Sequence, residues 1–189
     1  MHNRLDLPGL PDVVRKFPEA RFVSISDNQR LPLPDANWSG KIQHGLPKKL
    51  FRPRYEQGSY LAFLGRLTVE KGPEDAIRIA RAAGKPLRIA AKIPRAETAY
   101  FKKHLEPHLD GEDVRLIGEV NDAKKQPFLA QAAALLFPID WPEPFGLVMI
   151  EAMACGTPVI AYRSGSVPEV IDDGVTASSS TTRKRLFAR

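Results

Sequence analysis

A regular alternation of short apolar runs and amphipathic segments between residues 60 and 161 restricts the fold of this chain more than any other feature. Runs typical of buried strands lie at 60–64, 87–91, 114–118, 134–138 and 159–161, and helical patterns lie between them at 74–83, 96–105, 122–132 and after Glu143 up to Gly156. Because each strand reaches the next through one helix and short connections, the sheet should be parallel. We therefore predict a doubly wound, Rossmann-like α/β fold with ligands at the carboxyl ends of its strands.

The composition excludes several classes of protein. No apolar run approaches the roughly 18 residues of a membrane span, and the first 20 residues lack the apolar stretch of a signal peptide. The single cysteine, Cys155, rules out an internal disulfide and is typical of a reducing compartment. We interpret it as a small buried residue at a helix end rather than as a catalytic thiol.

The formal charge of +6 does not indicate a nucleic-acid-binding protein. Four of the cations, Arg183, Lys184, Arg185 and Arg189, lie in an unusual tail, and removing them from +6 leaves +2. A nearly neutral body offers no electrostatic footprint for a polyanion.

The segment 143–151, which reads EPFGLVMIE, places two carboxylates eight residues apart. If both lay on one helix, their backbones would be roughly 12 Å apart, beyond the approximately 5–9.5 Å that a carboxylate pair uses on a glycosidic bond. Glu143 and Glu151 are therefore better suited to hold two ends of one long ligand. The Pro144–Gly146 turn exposes helix-start N–H groups, which favour anionic oxygen. This predicts a polyhydroxylated ligand with a negative middle, and the alternative is two solvated helix-end carboxylates.

The turn after the first strand of this unit carries two cations, Arg66 and Lys71, and leads to a helix start at Gly72. Basic side chains over a helix start are typical of a phosphate site, although an ordinary turn with solvated charges would have the same sequence. The strand end at 117–120 lacks recognisable chemistry. It suits either a flat ring packed on the backbone or an ordinary loop.

Taken together, these segments resemble the carboxyl-terminal, donor-binding domain of a GT-B fold retaining glycosyltransferase of group 1, family 4. Four blocks match in order over roughly residues 41–175: 63–72, 114–120, 143–152 and 156–174. The resemblance implies four parts of the chain: a remnant of the amino-terminal acceptor domain at 1–46, a linker at 47–58, the nucleotide-sugar-binding domain at 59–176, and an aberrant tail at 177–189.

The resemblance also implies roles for individual residues. Catalytic roles would fall to Arg66 and Lys71, which hold the diphosphate and offset charge on the leaving group without a metal, and to Glu143, which touches sugar hydroxyls. Glu151 would accept hydrogen bonds from the ribose. The remaining donor-binding residues would be Gly65, Ile117, Val120, Phe145, Gly146 and Leu147.

The resemblance implies a departure at the amino terminus, where most of the family's acceptor domain would be absent. The segment 42–47 would be the crossing between the domains. His2 has the position of a histidine that the family places facing the donor sugar, but for a single histidine at a chain end we expect an unstructured terminus. The other histidines show no spacing typical of a metal site or catalytic triad.

The tail also departs from the family after Thr176. If residues 176–188 are written with suitable codons, restoring one G after the first codon yields Thr-Gly-Phe-Ile-Val-Asp-Asp-Glu-Glu-Glu-Ala-Val-Arg, a family-like ending. We therefore predict a frameshifted carboxyl terminus. Sequencing the coding DNA tests this prediction, which is wrong if no single insertion restores such a reading.

The predicted function is transfer of a hexose from a nucleoside-diphosphate sugar, with UDP favoured, to an unknown acceptor. This fragment is expected to be inactive without the amino-terminal domain and to need no cofactor. Two alternatives remain: a non-hydrolysing UDP-sugar epimerase and a non-catalytic nucleotide-binding module. The expected location is the cytoplasm, with peripheral membrane attachment as an option for the full-length protein.

Overall fold

The computed structural model describes residues 2–175 and, by their backbone alone, residues 177–180. A small sheet pairs β1 (Phe22–Ser24) with β2 (Trp38–Lys41). The large sheet contains β3 (Tyr60–Arg66), β4 (Leu87–Lys92), β5 (Val114–Gly118), β6 (Ala132–Phe137), β7 (Val159–Tyr162) and β8 (Ala177–Ser180). The helices are α1 (Leu10–Lys16), α2 (Pro73–Ala82), α3 (Thr98–Tyr100), α4 (Asp122–Ala130), α5 (Leu147–Ala154) and α6 (Val167–Val170). The predicted α/β alternation is confirmed.

The six strands of the large sheet are all parallel and follow the order β5-β4-β3-β6-β7-β8. The chain moves outward from β3 to β5 and then returns to the other side of β3 with β6. The carboxyl ends of β3 and β6 are therefore neighbours at the point where the winding reverses. In open parallel sheets this switch point is where ligands bind.

Side chains from alternate positions of β3 enter two separate cores, one on each face of the sheet. Tyr60 and Ala62 belong to the core that contains the buried residues of α4 and α5. Leu61 and Phe63 belong to the core that contains the buried residues of α2. Alternation along a strand buried on both faces gives the doubly wound arrangement.

The turn before α2 is packed directly against the end of β6. A short 3-10 helix, Val69–Lys71, leads into Gly72, whose φ is 68°. A Cβ added at Gly72 would lie 2.0 Å from the carbonyl oxygen of Pro138. Only glycine combines this left-handed backbone with this close approach. The contact fixes the Lys71 turn beside the loop that follows β6.

The small sheet differs from the sequence prediction in its second strand. The local sequence favours strands at 21–26 and 41–44 and a loop at 32–38, whereas in the structure β2 begins at Trp38. Phe22 is paired with Trp38, and the Trp38 indole N–H donates to the Leu33 carbonyl at 2.9 Å. This pairing selects the strand despite the weak strand preference of Gly40.

The Glu169 carboxylate connects α6 to the segment that follows β1. Glu169 of α6 accepts hydrogen bonds from the backbone N–H groups of Asp27 at 2.7 Å and Asn28 at 2.8 Å. The Lys41 ammonium lies 3.6 Å from the same carboxylate.

The helix predicted at 96–105 is irregular. Its regular part is α3, which continues into a wider π-helical turn, Phe101–Leu105, and a 3-10 turn, Glu106–His108. The wide turn buries both Phe101 and Leu105 in the α2-side core. Pro107 has no N–H to continue the helix.

In the part of the chain that the structure describes, no helix has both the length and the apolar character to span a membrane. Residues 181–189, which carry most of the predicted frameshifted tail, lie outside the described residues. Residues 177–180, which we also assigned to that tail, form the edge strand β8.

Candidate functional site

The structure joins Lys71 and Glu143 in an ion pair at the switch point, 72 positions apart in sequence. The Lys71 ammonium donates to Oε2 of Glu143, and the Trp141 indole N–H donates to the same oxygen at 2.8 Å. The ammonium also lies 4.5 Å from the centroid of the Trp141 ring, within cation–π distance. The side chains of Lys71 and Glu143 are only 16% and 13% exposed, so their attraction is weakly screened by solvent. We call these three residues the Lys71 cluster.

The backbone around Glu143 is held from two sides. Asp140 donates its N–H to the Glu70 carbonyl at 2.9 Å, which ties the loop after β6 to the Lys71 turn. On the other side, the Ser166 N–H donates to the Glu143 carbonyl at 2.9 Å. A Cβ added at Gly165 would lie 2.3 Å from the Glu143 nitrogen. The position of Glu143 is therefore determined by backbone contacts that its own sequence neighbourhood does not contain.

Gly65 and Arg66 end β3 at the same sheet edge, and the Arg66 side chain is exposed. A cation that we did not predict, Arg4, lies 5.0 Å from the Trp141 ring centroid and is paired with Asp6. No motif marks Arg4, so sequence reasoning had no signal for it. The site thus has cations from two distant parts of the chain.

Glu151 lies in a second cluster, on the face of α5 that meets α4. Its Oε1 accepts a hydrogen bond from the Lys125 ammonium at 2.8 Å, and Asp122 lies 3.4 Å from that ammonium. Burial by itself would lower the pKa of Lys125, but the hydrogen bonds and charges of Glu151 and Asp122 outweigh it and raise the pKa. We did not predict a role for Lys125. Its position three residues after Asp122 is a sequence signal that could have found it, because side chains at that spacing are neighbours on a helix.

Cys155 follows α5 and is fully buried. Burial, with a smaller effect from the charge of Glu151, raises the pKa of its thiol to about 11. The prediction that Cys155 is a small buried residue at a helix end is confirmed.

Phe145, Gly146 and Leu147 form the start of α5, as predicted. Phe145 is buried, and the edge of its ring contacts His44 with the ring centroids 5.0 Å apart. His44 in turn stacks on His2 at 5.0 Å. We expected His2 in an unstructured terminus, and this expectation is wrong because the stack holds it beside the α5 start.

Ile117 and Val120 lie at the end of β5, the outermost strand on that side of the sheet. Ile117 is 39% exposed, whereas Val120 packs against the core beneath α5. In the sheet β4 lies between β5 and β3, and Val120 packs against the same core as Trp141 of the Lys71 cluster. Among the described residues, no three His, Cys, Asp or Glu side chains are grouped so that they could hold a metal ion.

The stacked histidines lead to a prediction for pH dependence. Burial, and secondarily the charge of His2, lowers the pKa of His44 below 6.5. The lowered pKa means that protonation favours states in which the stack is open. The contribution of the stack to the free energy of unfolding is therefore fully present above pH 6.5 and is lost as the pH falls through the lowered pKa of His44.

We expect an NMR titration of the imidazole signals to give a His44 pKa below 6.5, and we expect His2→Ala to raise that pKa part of the way back. A His44 pKa above 6.5, or one unaffected by His2→Ala, would contradict the stack.

Comparisons with known proteins agree with this geometry. The sequence profile of the family described as "Glycosyl transferases group 1" matches residues 48–184. A D-inositol 3-phosphate glycosyltransferase of Mycobacterium leprae (strain Br4923) is 34% identical over 134 residues, which cover 64% of this chain and 29% of the relative. A glycogen synthase of Mycobacterium tuberculosis (strain CDC 1551 / Oshkosh) is 32% identical over 137 residues, which cover 70% and 32%. The chain thus spans about a third of the length of these curated relatives.

Solved structures show the same fold. Anabaena Alr3699/HepE, solved in complex with UDP and glucose, superposes with a TM-score of 0.83 at 19% identity, covering 100% of this chain and 60% of that one. AviGT4, a glycosyltransferase involved in avilamycin A biosynthesis, superposes with a TM-score of 0.67 at 26% identity, covering 88% and 53%. The chain therefore belongs to the group 1 glycosyl transferases, and its large sheet is the carboxyl-terminal, Rossmann-like half of their GT-B fold.

Proposed function

We propose that this chain is the donor-binding part of a retaining, family 4 hexosyltransferase that uses a nucleoside-diphosphate sugar, with UDP favoured. The observation that carries the proposal is the Lys71 cluster at the switch point, where a partly buried cation and a partly buried carboxylate lie just before the start of α5. The UDP and UDP-glucose bound by Anabaena HepE support the choice of nucleotide.

In this proposal, Arg66 and Lys71 hold the diphosphate and offset the charge that grows on it as the sugar leaves. A lysine ammonium has three donors, so Lys71 can keep its bond to Glu143 while it binds a phosphate oxygen. The N–H groups at the start of α5 add a partial positive charge. This is electrostatic catalysis by groups already in place, and it requires no metal.

Glu143 would hold hydroxyls of the donor sugar rather than attack its reacting carbon. Both Lys71 and Trp141 donate to Oε2, and these hydrogen bonds draw electron density from the carboxylate and lower its nucleophilicity. Oε1 takes part in neither bond, and it is the oxygen that we assign to the sugar. Glu151 would accept hydrogen bonds from the ribose.

Calorimetry tests the diphosphate assignment. We expect the chain to bind UDP at millimolar or lower concentration. Arg66→Ala or Lys71→Ala should each remove about 1.5–3 kcal/mol, a roughly ten- to 150-fold loss of affinity, because each cation makes a charge-assisted hydrogen bond.

The matched control is Lys102→Ala, which removes an exposed cation from the turn after α3 and should leave UDP affinity unchanged. Lys71→Ala also leaves Glu143 without its cation, so thermal unfolding of each variant must be recorded in parallel. The donor site would be contradicted if calorimetry detected no binding heat with UDP, GDP, ADP or the sugars attached to them.

Transfer itself is tested by joining the amino-terminal half of a relative to this chain. We propose that residues 1–46 are the last part of an acceptor domain, so sugar transfer should depend on that added half and on an acceptor. NMR of the product should show the anomeric configuration of the donor. Sugar interconversion without an acceptor would instead indicate an epimerase, and binding without turnover would indicate a non-catalytic module. The single buried cysteine supports a reducing location such as the cytoplasm.

A further inference from the structure

The contact between α4 and α5 contains a partly buried ion pair whose lysine, Lys125, has no role in the proposed function. Lys125 of α4 donates to Oε1 of Glu151 at 2.8 Å, and the two side chains are 19% and 11% exposed. Glu151 is the residue that we assign to the ribose. Lys125 of α4 is therefore hydrogen-bonded to a carboxylate at the candidate nucleotide site.

Hydrogen bonds hold the backbone on both sides of Lys125. Asn121 caps α4 by accepting the Lys124 N–H on its side chain at 3.1 Å and the Lys125 N–H on its carbonyl at 2.9 Å. One residue further on, the Gln126 side chain accepts from Arg52 N–H at 2.9 Å and donates to the Arg52 carbonyl at 3.0 Å. Lys125 therefore extends from a helix turn that is fixed at both sides.

The pair has two physical consequences for Glu151. The cation compensates the charge of a carboxylate that is only 11% exposed, since a charge removed from water is costly unless it is paired. The hydrogen bond also occupies Oε1, which determines the plane of the carboxylate and directs Oε2 away from Lys125. An ionised, oriented carboxylate is the acceptor that two adjacent ribose hydroxyls require.

We propose that Lys125 is a positioning residue for Glu151 and that the pair determines a preference for ribonucleotides over 2′-deoxyribonucleotides. This inference rests on the proposed function, since it takes Glu151 as the ribose ligand. A site built to accept a hydroxyl hydrogen bond discriminates strongly against the analogue that lacks the hydroxyl. Discrimination therefore depends on holding the acceptor in a fixed orientation, and the hydrogen bond from Lys125 does so.

The test compares UDP with 2′-deoxy-UDP by calorimetry on the whole chain. Wild type should bind UDP at least about tenfold more tightly, the effect of one hydrogen bond to a charged group. Lys125→Met keeps the length of the side chain without its charge, and it should reduce the ratio of the two affinities to about threefold or less. Lys125→Arg keeps the charge and should restore most of the ratio. Lys124→Met, one residue earlier and exposed, is the matched control and should leave the ratio unchanged.

Taking the ratio of the UDP and 2′-deoxy-UDP affinities cancels any effect of the substitution on the diphosphate, which both ligands share. If Lys125→Met does not fold, Lys125→Gln is measured in the same way.

The outcomes separate this inference from the function on which it rests. If wild type prefers UDP and Glu151→Gln removes the preference while Lys125→Met retains it, the positioning role is overturned and the donor site stands. If wild type binds neither ligand, the proposed UDP site fails and the inference fails with it. Loss of the ratio in Lys125→Met with recovery in Lys125→Arg supports the proposal.

Discussion

Gly72→Ala is expected to lower the free energy of unfolding by about 4 kcal/mol or more, a value reached by few single substitutions. The added Cβ would lie 2.0 Å from the Pro138 carbonyl oxygen, which belongs to the backbone and cannot rotate away. The φ of 68° adds strain for any residue with a Cβ. Because natural domains are stable by about 5–15 kcal/mol, the variant should unfold at much lower denaturant concentration or not accumulate. Urea or guanidinium unfolding followed by circular dichroism measures the change.

Gly84→Ala separates the two causes of this effect. Gly84 follows α2 with a φ of 59°, similar to that of Gly72, but an added Cβ would meet nothing within 4 Å. This variant should lose only about 1–2 kcal/mol, the cost of a left-handed backbone with a Cβ. Equal losses in the two variants would show that the Pro138 contact contributes nothing.

Gly165→Ala is expected to disrupt the Lys71 cluster from outside it. The added Cβ would lie 2.3 Å from the Glu143 nitrogen and 2.6 Å from its carbonyl oxygen, so the Glu143 backbone must move. The φ of 57° adds strain here too. We expect a loss of about 3 kcal/mol or more in the free energy of unfolding. We also expect the hydrogen bond from the Trp141 indole N–H to Glu143 to weaken.

The chain has an internal reference for this measurement. Its two indole N–H groups have different acceptors, since Trp141 donates to Glu143 and Trp38 donates to the Leu33 carbonyl in the small sheet. In NMR spectra, Gly165→Ala should shift the Trp141 indole signal and reduce its protection from hydrogen exchange while leaving that of Trp38 unchanged. Gly111→Ala, with a φ of 81° and open space around the added Cβ, should affect neither signal. An unperturbed Trp141 signal in a folded Gly165→Ala protein would contradict the role of this contact.

Periodicity and turn residues were sufficient to predict the α/β class and most elements of the large sheet. The strand at 114–118 was predicted with the bounds that the structure has, and β3 and β4 extend only one or two residues past their predicted ends. These predictions are confirmed because strands buried on both faces are nearly continuous apolar runs. The second strand of the small sheet was misplaced because pairing with Phe22, rather than local preference, selects Trp38.

Part of the chemistry of the candidate site could likewise be predicted from the sequence. Arg66 and Lys71 after a strand end predicted a phosphate site, and Glu143 and Glu151 predicted a polyhydroxylated ligand with a negative middle. These roles stay predictions. The partners of those residues were not predictable from local sequence. Trp141, Lys125 and His44 contact predicted residues through side chains that no motif marks.

The physical reason lies in the range of the interactions. Hydrophobic period, glycine and proline act within a few residues, so one sequence suffices to place helices, strands and the carboxyl ends where ligands bind. Which charged groups meet depends on the strand order that brings β3 beside β6 and on the faces by which α4 and α5 pack. Those are properties of the assembled sheet, and they make Lys71 the partner of Glu143 and Lys125 the partner of Glu151.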